Sequence, residues 1–168
     1  LIIDDDLDGE LFKKSFSNHY KKLSEDSGLI ELINRLKTEQ HPMDVTRTAI
    51  SYIGEASESN KLDAASKVTA IACLAIASYN KELSDVLDQK YTVASSLLPN
   101  SSTQQQLEAL DDMLILYAEH GFNASTFAAR VTASTRSDLI SAIVSGVGTL
   151  KGELHGGANE AAVELINS

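Results

Sequence analysis

Two of the four histidines lie in segments suited to chemistry. His155 sits in Lys151-Gly152-Glu153-Leu154-His155-Gly156-Gly157-Ala158-Asn159-Glu160, where glycines on both sides leave the backbone open to close approach by a ligand. His120 closes a long apolar-periodic stretch and opens the polar junction Gly121-Phe122-Asn123-Ala124-Ser125-Thr126. Their electrostatic settings are opposite. A helix ending at His120 would present its negative end and favour imidazolium, a holder for an anionic substrate such as a carboxylate. A helix starting just after His155 would present its positive end and favour neutral imidazole. Such a ring can donate a hydrogen bond to a carbonyl that gains negative charge without surrendering its proton. The pair therefore reads as one anion holder and one electrophilic catalyst.

The other candidates carry structural readings. Asp4-Asp5-Asp6-Leu7-Asp8 lacks the glycine and the distal glutamate of a calcium loop and reads as a solvated helix entry. Asp111 and Asp112 are adjacent on a helix, about 100° apart, so they do not face each other as an acid/base pair. His19 falls on the charged side of the first helix, where solvent exposure is expected. His41 precedes Pro42 at a helix entrance and is assigned a structural role. Cys73, the sole cysteine, lies in Ile71-Ala72-Cys73-Leu74-Ala75 and reads as an inert buried thiol. No metal site is expected.

Helical periodicity positions these residues almost throughout. The spacing predicts a helix from Asp8 carrying Leu11, Phe12, Phe16 and Tyr20. A second follows from Ser27-Gly28, with Leu29, Leu32, Ile33 and Leu36 in one stripe. A third enters at Pro42 and runs to about Ala56, with Met43, Ala49, Ile50 and Ile53 inward. Further helices are predicted at 61–79, 85–98, 104–120, 124–134 and 138–150, and a last one begins at 157–158. No strand, repeat or internal domain boundary is apparent, and the fold class is all-α, a multi-helix bundle. The small residues of 61–79 and of 138–150, with Ala142, Ser145, Gly146 and Gly148, would allow close approach to a second copy across a two-fold axis.

Composition narrows the function classes. The 168 residues are 43% hydrophobic and 23% charged, a globular balance able to build a core. Fourteen basic residues against 24 acidic give a net charge of −10, which opposes nucleic-acid binding. No apolar run reaches the roughly 18 residues of a membrane span.

At the same residues the sequence resembles the citrate synthase family, which includes the 2-methylcitrate synthases. Three blocks carry the resemblance: His41-Pro42-Met43-Asp44 with Arg47-Thr48-Ala49; Leu114 to His120 continuing through Asn123-Ala124-Ser125-Thr126-Phe127 to Arg130; and Leu150-Lys151-Gly152 through His155 to Glu160. Ser137-Asp138 also fits. Gly121 and Glu153 depart from it, standing where the family commonly has an acidic residue and a proline.

The resemblance implies the central part of a large helical domain, cut at both ends, without the smaller CoA-binding domain. It implies condensation of oxaloacetate with acetyl-CoA or propionyl-CoA, with a slight lean toward propionyl-CoA from the wording around Tyr117 to Asn123. It implies that His120 binds oxaloacetate beside Asn123. It also implies that His155 hydrogen-bonds the thioester carbonyl, with Ser125, Gly156, Gly157 and Asn159 in support. No cofactor is implied, because acyl-CoA is a substrate. The resemblance further implies a homodimer, without nucleic acid or membrane. A bacterial-type protein would be cytoplasmic, a eukaryotic one mitochondrial. The family's second catalytic histidine, in a Gly-x-Gly-His segment, and its aspartate base have no counterpart in residues 1–168. This stretch alone is therefore expected to be inactive, the rival reading being a non-catalytic helical module.

Overall fold

The computed structural model describes residues 9–54, 61–80, 92–118 and 121–167, the side chains of 159–161 apart. Among the described residues every regular element is helical, in the order α1 (Gly9–Ser24), α2 (Ser27–Leu36), α3 (Pro42–Tyr52), α4 (Lys61–Ala77), α5 (Val93–Leu97), α6 (Gln104–Leu116), α7 (Ala124–Ser134), α8 (Leu139–Leu150) and α9 (Gly156–Asn167). The fold is all-α, as periodicity predicts.

Local chemistry sets most of the helix ends. α2 starts at Ser27, as the spacing predicts, and Asp26 caps it by accepting a hydrogen bond from the Leu29 N–H at 3.0 Å. His41 caps α3 through Nδ1, which accepts from the Met43 N–H at 3.2 Å, and Pro42 occupies the first turn. That helix ends at Tyr52, short of Ala56, because Gly54 takes a left-handed conformation at φ +68°. Thr92 and Ser95 form a reciprocal cap, so α5 begins at Val93; residues 85–91 of the predicted helix lie outside the described ones. Leu98 is extended before Pro99, which closes the element. Thr103 and Gln106 cap α6 in the same reciprocal way. Its last helical residue is Leu116, whereas periodicity carries the helix on to His120.

The helices group into two compact units, 1–118 and 119–168. Periodicity marks no such division, because it records which face of a helix is apolar and not which helix covers it. In the first unit α4 is the central element, packed against α1, α3 and α5. Nine of its residues are buried, including Ala70, Ile71, Cys73 and Leu74, and they meet Phe16 and Tyr20 of α1 together with Val45, Ala49 and Ile50 of α3 in one core. On α3 the buried set is Val45, Thr46, Ala49 and Ile50, so Met43 and Ile53 sit nearer the edge than predicted.

The second unit holds α7, α8 and α9, with α7 and α8 in extensive contact. Here Gly146, one of the small residues expected at a seam with a second copy, packs within its own chain. Gly146 of α8 faces α7 of its own chain, where an added Cβ would lie 3.3 Å from the Ser125 carbonyl oxygen and 3.6 Å from the Ala129 Cβ. Ala64, Ala70, Ala75 and Ala77 of α4 are likewise buried in its own unit, where α4 packs against α1, α3 and α5, while Ala65 and Ala72 are half-buried. Large apolar side chains stand in solvent elsewhere, on α6 (Ile115 72% and Leu116 78% exposed) and on α9 (Leu165 77% and Ile166 82% exposed).

Candidate active site

Three consecutive features of the second unit converge on one imidazole. Asn123 caps α7, its side-chain oxygen accepting from the Thr126 N–H at 2.6 Å. The cap orients the first turn of α7, which carries Ser125. The Ser125 hydroxyl and His155 Nε2 then share a hydrogen bond of 2.8 Å, joining residues 30 positions apart. Both side chains are partly buried, so the bond is shielded from full competition with water. A hydroxyl on one ring nitrogen restrains the orientation of the imidazole and couples its tautomer to the hydroxyl proton.

His155 directly precedes α9, at the positive end of that helix. The turn leading to it is tight: Gly152 N–H donates to the Thr149 carbonyl at 3.0 Å, while His155 N–H and Gly157 N–H both donate to the Gly152 carbonyl at 2.9 and 3.2 Å. The glycines serve this turn. A Cβ on Gly156 would run into the Leu150 carbonyl, and one on Gly157 would stand 3.2 Å from the Gly152 carbonyl. The openness expected for a ligand is thus occupied, at these two positions, by the end of α8. The close approach that glycine permits is made by the chain itself, and its product is a fixed His155.

Other expected site residues fall differently. His120 lies outside the described residues, and so does the side chain of Asn159, whose backbone is in the first turns of α9. Asn123, expected beside the substrate, uses its side-chain oxygen for the helix cap, and its amide NH2 takes no part in that bond. Between these, Gly121 and Phe122 are both left-handed, at φ +63° and +52°, and the Phe122 ring is fully exposed. An aromatic residue in that conformation is uncommon and signals a tightly constrained turn.

A second cluster, in the first unit, escaped the sequence reading. His19 is not simply solvent-exposed: its Nε2 lies 2.7 Å from Asp63 Oδ1. The Ser15 hydroxyl also donates to Asp63 Oδ1 at 3.2 Å, and it shares a 2.7 Å hydrogen bond with the fully buried Ser66. The hydrogen bond from His19, with further help from its charge, from Ser15 and from Lys67, outweighs burial and holds the Asp63 carboxyl below the usual carboxylate range. The only advance signal was spacing: Ser15 and His19 are one turn apart on α1, as are Asp63 and Ser66 on α4. The adjoining cleft of about 630 Å³ is lined by His19, Lys22, Glu25, Asp26, Tyr52, Asp63 and Lys67 among others, a lining of mixed charge with no preference for one ligand sign. No group of three metal-ligating side chains occurs among the described residues. Among them, too, no helix is long and apolar enough to cross a membrane.

Comparison with known proteins identifies the family. Residues 1–168 match throughout the family described as citrate synthase, C-terminal domain. The chain is 41% identical over 155 residues to 2-methylcitrate synthase 2 of Corynebacterium glutamicum, covering 80% of this chain and 40% of that protein. It is 36% identical over 168 residues to a citrate synthase of Mycolicibacterium smegmatis, covering 82% and 41% respectively. Among solved structures, the citrate synthase of Thermotoga maritima MSB8 matches with a TM-score of 0.75 and 28% identity, over 94% of this chain and 44% of that one. The citrate synthase of Thermoplasma acidophilum, solved with carboxymethyl coenzyme A and oxaloacetate, shares the fold at a TM-score of 0.74 and 24% identity, over 92% and 44%. The chain spans about two-fifths of the length of these curated relatives.

Proposed function

The chain belongs to the citrate synthase family, and on that premise we propose that the protein carrying it condenses oxaloacetate with a short acyl-CoA, propionyl-CoA ahead of acetyl-CoA. The observation that carries this reading is the Ser125–His155 hydrogen bond at the entrance to α9. In the reaction the α-carbon of the acyl-CoA loses a proton and negative charge builds on the thioester oxygen. His155, held by Ser125, donates a hydrogen bond to that oxygen, and the positive end of α9 favours the same charge. The enol carbon then attacks the keto carbon of oxaloacetate, forming the new C–C bond. Water finally cleaves the thioester, releasing CoA and 2-methylcitrate or citrate.

In this reading His120 holds oxaloacetate, and Asn123 contributes chiefly by setting the start of α7. Gly156, Gly157 and Asn159 belong to the turn and helix start that seat His155. No cofactor is required, since CoA arrives on the substrate. The lean toward propionyl-CoA is supported by the higher identity to the 2-methylcitrate synthase than to the citrate synthase named above. The preference would be modest, because one methylene in an apolar pocket discriminates by only about 1–3 kcal/mol.

Turnover of both acyl-CoAs by the intact protein tests the reading, with CoA release as the signal. We expect activity with oxaloacetate present, a higher kcat/KM for propionyl-CoA, and a loss of about 100-fold or more in kcat for His155→Gln. Inactivity of the intact protein on both acyl-CoAs would overturn it. A chain limited to residues 1–168 should be inactive, because it holds neither the Gly-x-Gly-His segment nor the family's aspartate base, and a base must reach the proton it removes.

A further inference from the structure

We propose that Gly146 is a positioning residue for His155 and acts through Ser125. The inference rests on the catalytic reading of His155 above and adds a residue on a different helix to its support. Gly146 is buried in the middle of α8, against the first turn of α7. The nearest atom to its absent side chain is the carbonyl oxygen of Ser125, 3.3 Å from where a Cβ would stand. Ser125 is also the residue whose hydroxyl bonds His155 Nε2 at 2.8 Å. One residue is therefore held on its backbone side by the glycine of α8 and reaches the imidazole on its side-chain side.

The direction of the effect follows from what can move. A contact of 3.3 Å is tighter than most real Cβ contacts, so a methyl group at position 146 requires Ser125 to give way by a few tenths of an ångström. A helical carbonyl does not swing away alone; the first turn of α7 moves with it, including the hydroxyl. Alanine is a better helix former than glycine, so α8 itself has no reason to unwind. The expected cost falls on the orientation of the His155 ring.

The experiment uses the intact protein with Gly146→Ala, Ser125→Ala and the double variant. Two readouts are taken: steady-state kinetics and the ring-nitrogen NMR shifts of His155, assigned with His155→Gln. Gly146→Ala should lower kcat about five- to tenfold, as a small misplacement of a catalytic group does. Its KM for oxaloacetate should stay within about twofold, the signature of an interaction that matters mainly in the transition state. The His155 ring shifts should move in Gly146→Ala. In the Ser125→Ala background Gly146→Ala should have no further effect on kcat, because the two act in series.

Multiplicative losses in the double variant, or His155 shifts identical to wild type in Gly146→Ala, would overturn the proposal. Should Gly146→Ala not fold, Ala129→Val fills the gap between α7 and α8 from the α7 side and is read by the same kinetics and His155 ring shifts, with the same outcomes expected. A wild-type protein inactive on both acyl-CoAs would instead remove the catalytic reading, and the ring shifts would still report whether Gly146 sets the His155 ring.

Discussion

At the residue scale, two of the hydrogen bonds between distant positions join side chains of different elements around a histidine. Ser125–His155 is one; His19–Asp63, backed by Ser15 and Ser66, is the other and pins α1 to α4. The Asp63 carboxyl is held below its ordinary range, chiefly by the His19 hydrogen bond, so the folded state favours the carboxylate. Its contribution to stability is therefore present above the unfolded carboxylate range and is lost as pH falls through the lowered folded value. Urea midpoints of the intact protein should fall as pH drops below about 4, the unperturbed aspartate value. Asp63→Asn should start from a lower midpoint at neutral pH and show a shallower fall on acidification. Equal pH slopes in the two proteins would show that the pair contributes nothing to acid sensitivity.

At the element scale, α7 is the helix on which the site depends, and its start is set by one side chain. Asn123 accepts from the Thr126 N–H, one residue beyond Ser125, so the cap and the hydroxyl share a turn. Asn123→Ala should destabilise the protein by about 1 kcal/mol, the usual worth of such a cap, seen as a lower thermal midpoint. Asn123→Asp should retain most of that stability, because aspartate caps equally well. A loss of oxaloacetate affinity in Asn123→Asp without a loss of stability would point instead to direct substrate contact. Asp138 does the same service for α8, accepting from both the hydroxyl and the N–H of Ser141, and these bonds lower its carboxyl below the ordinary range.

At the scale of the whole molecule, large apolar side chains remain exposed on several of the described helices, α6, α7 and α9 among them. On α6 alone, Met113, Ile115 and Leu116 are 53%, 72% and 78% exposed, more than the scattered apolar residues of an ordinary surface. We propose that the homodimer implied by the family resemblance uses the α6 face. Leu116→Lys in the intact protein should weaken self-association by about tenfold or more, the burial of a leucine being worth about 1.5–3 kcal/mol. Helicity should be unchanged, because the side chain touches little of its own chain. Sedimentation across micromolar concentrations checks this; an unaltered association constant would place the interface elsewhere.

The sequence by itself determined what is local. Helix positions followed from apolar spacing, and α4, α7 and α8 appear within two residues of their predicted bounds. Caps and breakers such as His41-Pro42 act within one turn and were legible for the same reason. The His155 segment was legible in its flanking glycines as well as in its resemblance to a family, and its link to Ser125 through that resemblance alone. Tertiary structure decided the rest. Periodicity says that a face is apolar or small, and not which other face meets it, so the Gly146 face could pair with a second copy or with α7. Packing chose α7, and thereby Ser125. Charge pattern placed His19 toward solvent, because its partner lies 44 residues away and only the docking of α1 on α4 brings the two together. The glycines beside His155 were open to either a ligand or the chain's own carbonyls; the return of α9 onto the end of α8 assigned that space to Leu150 and Gly152.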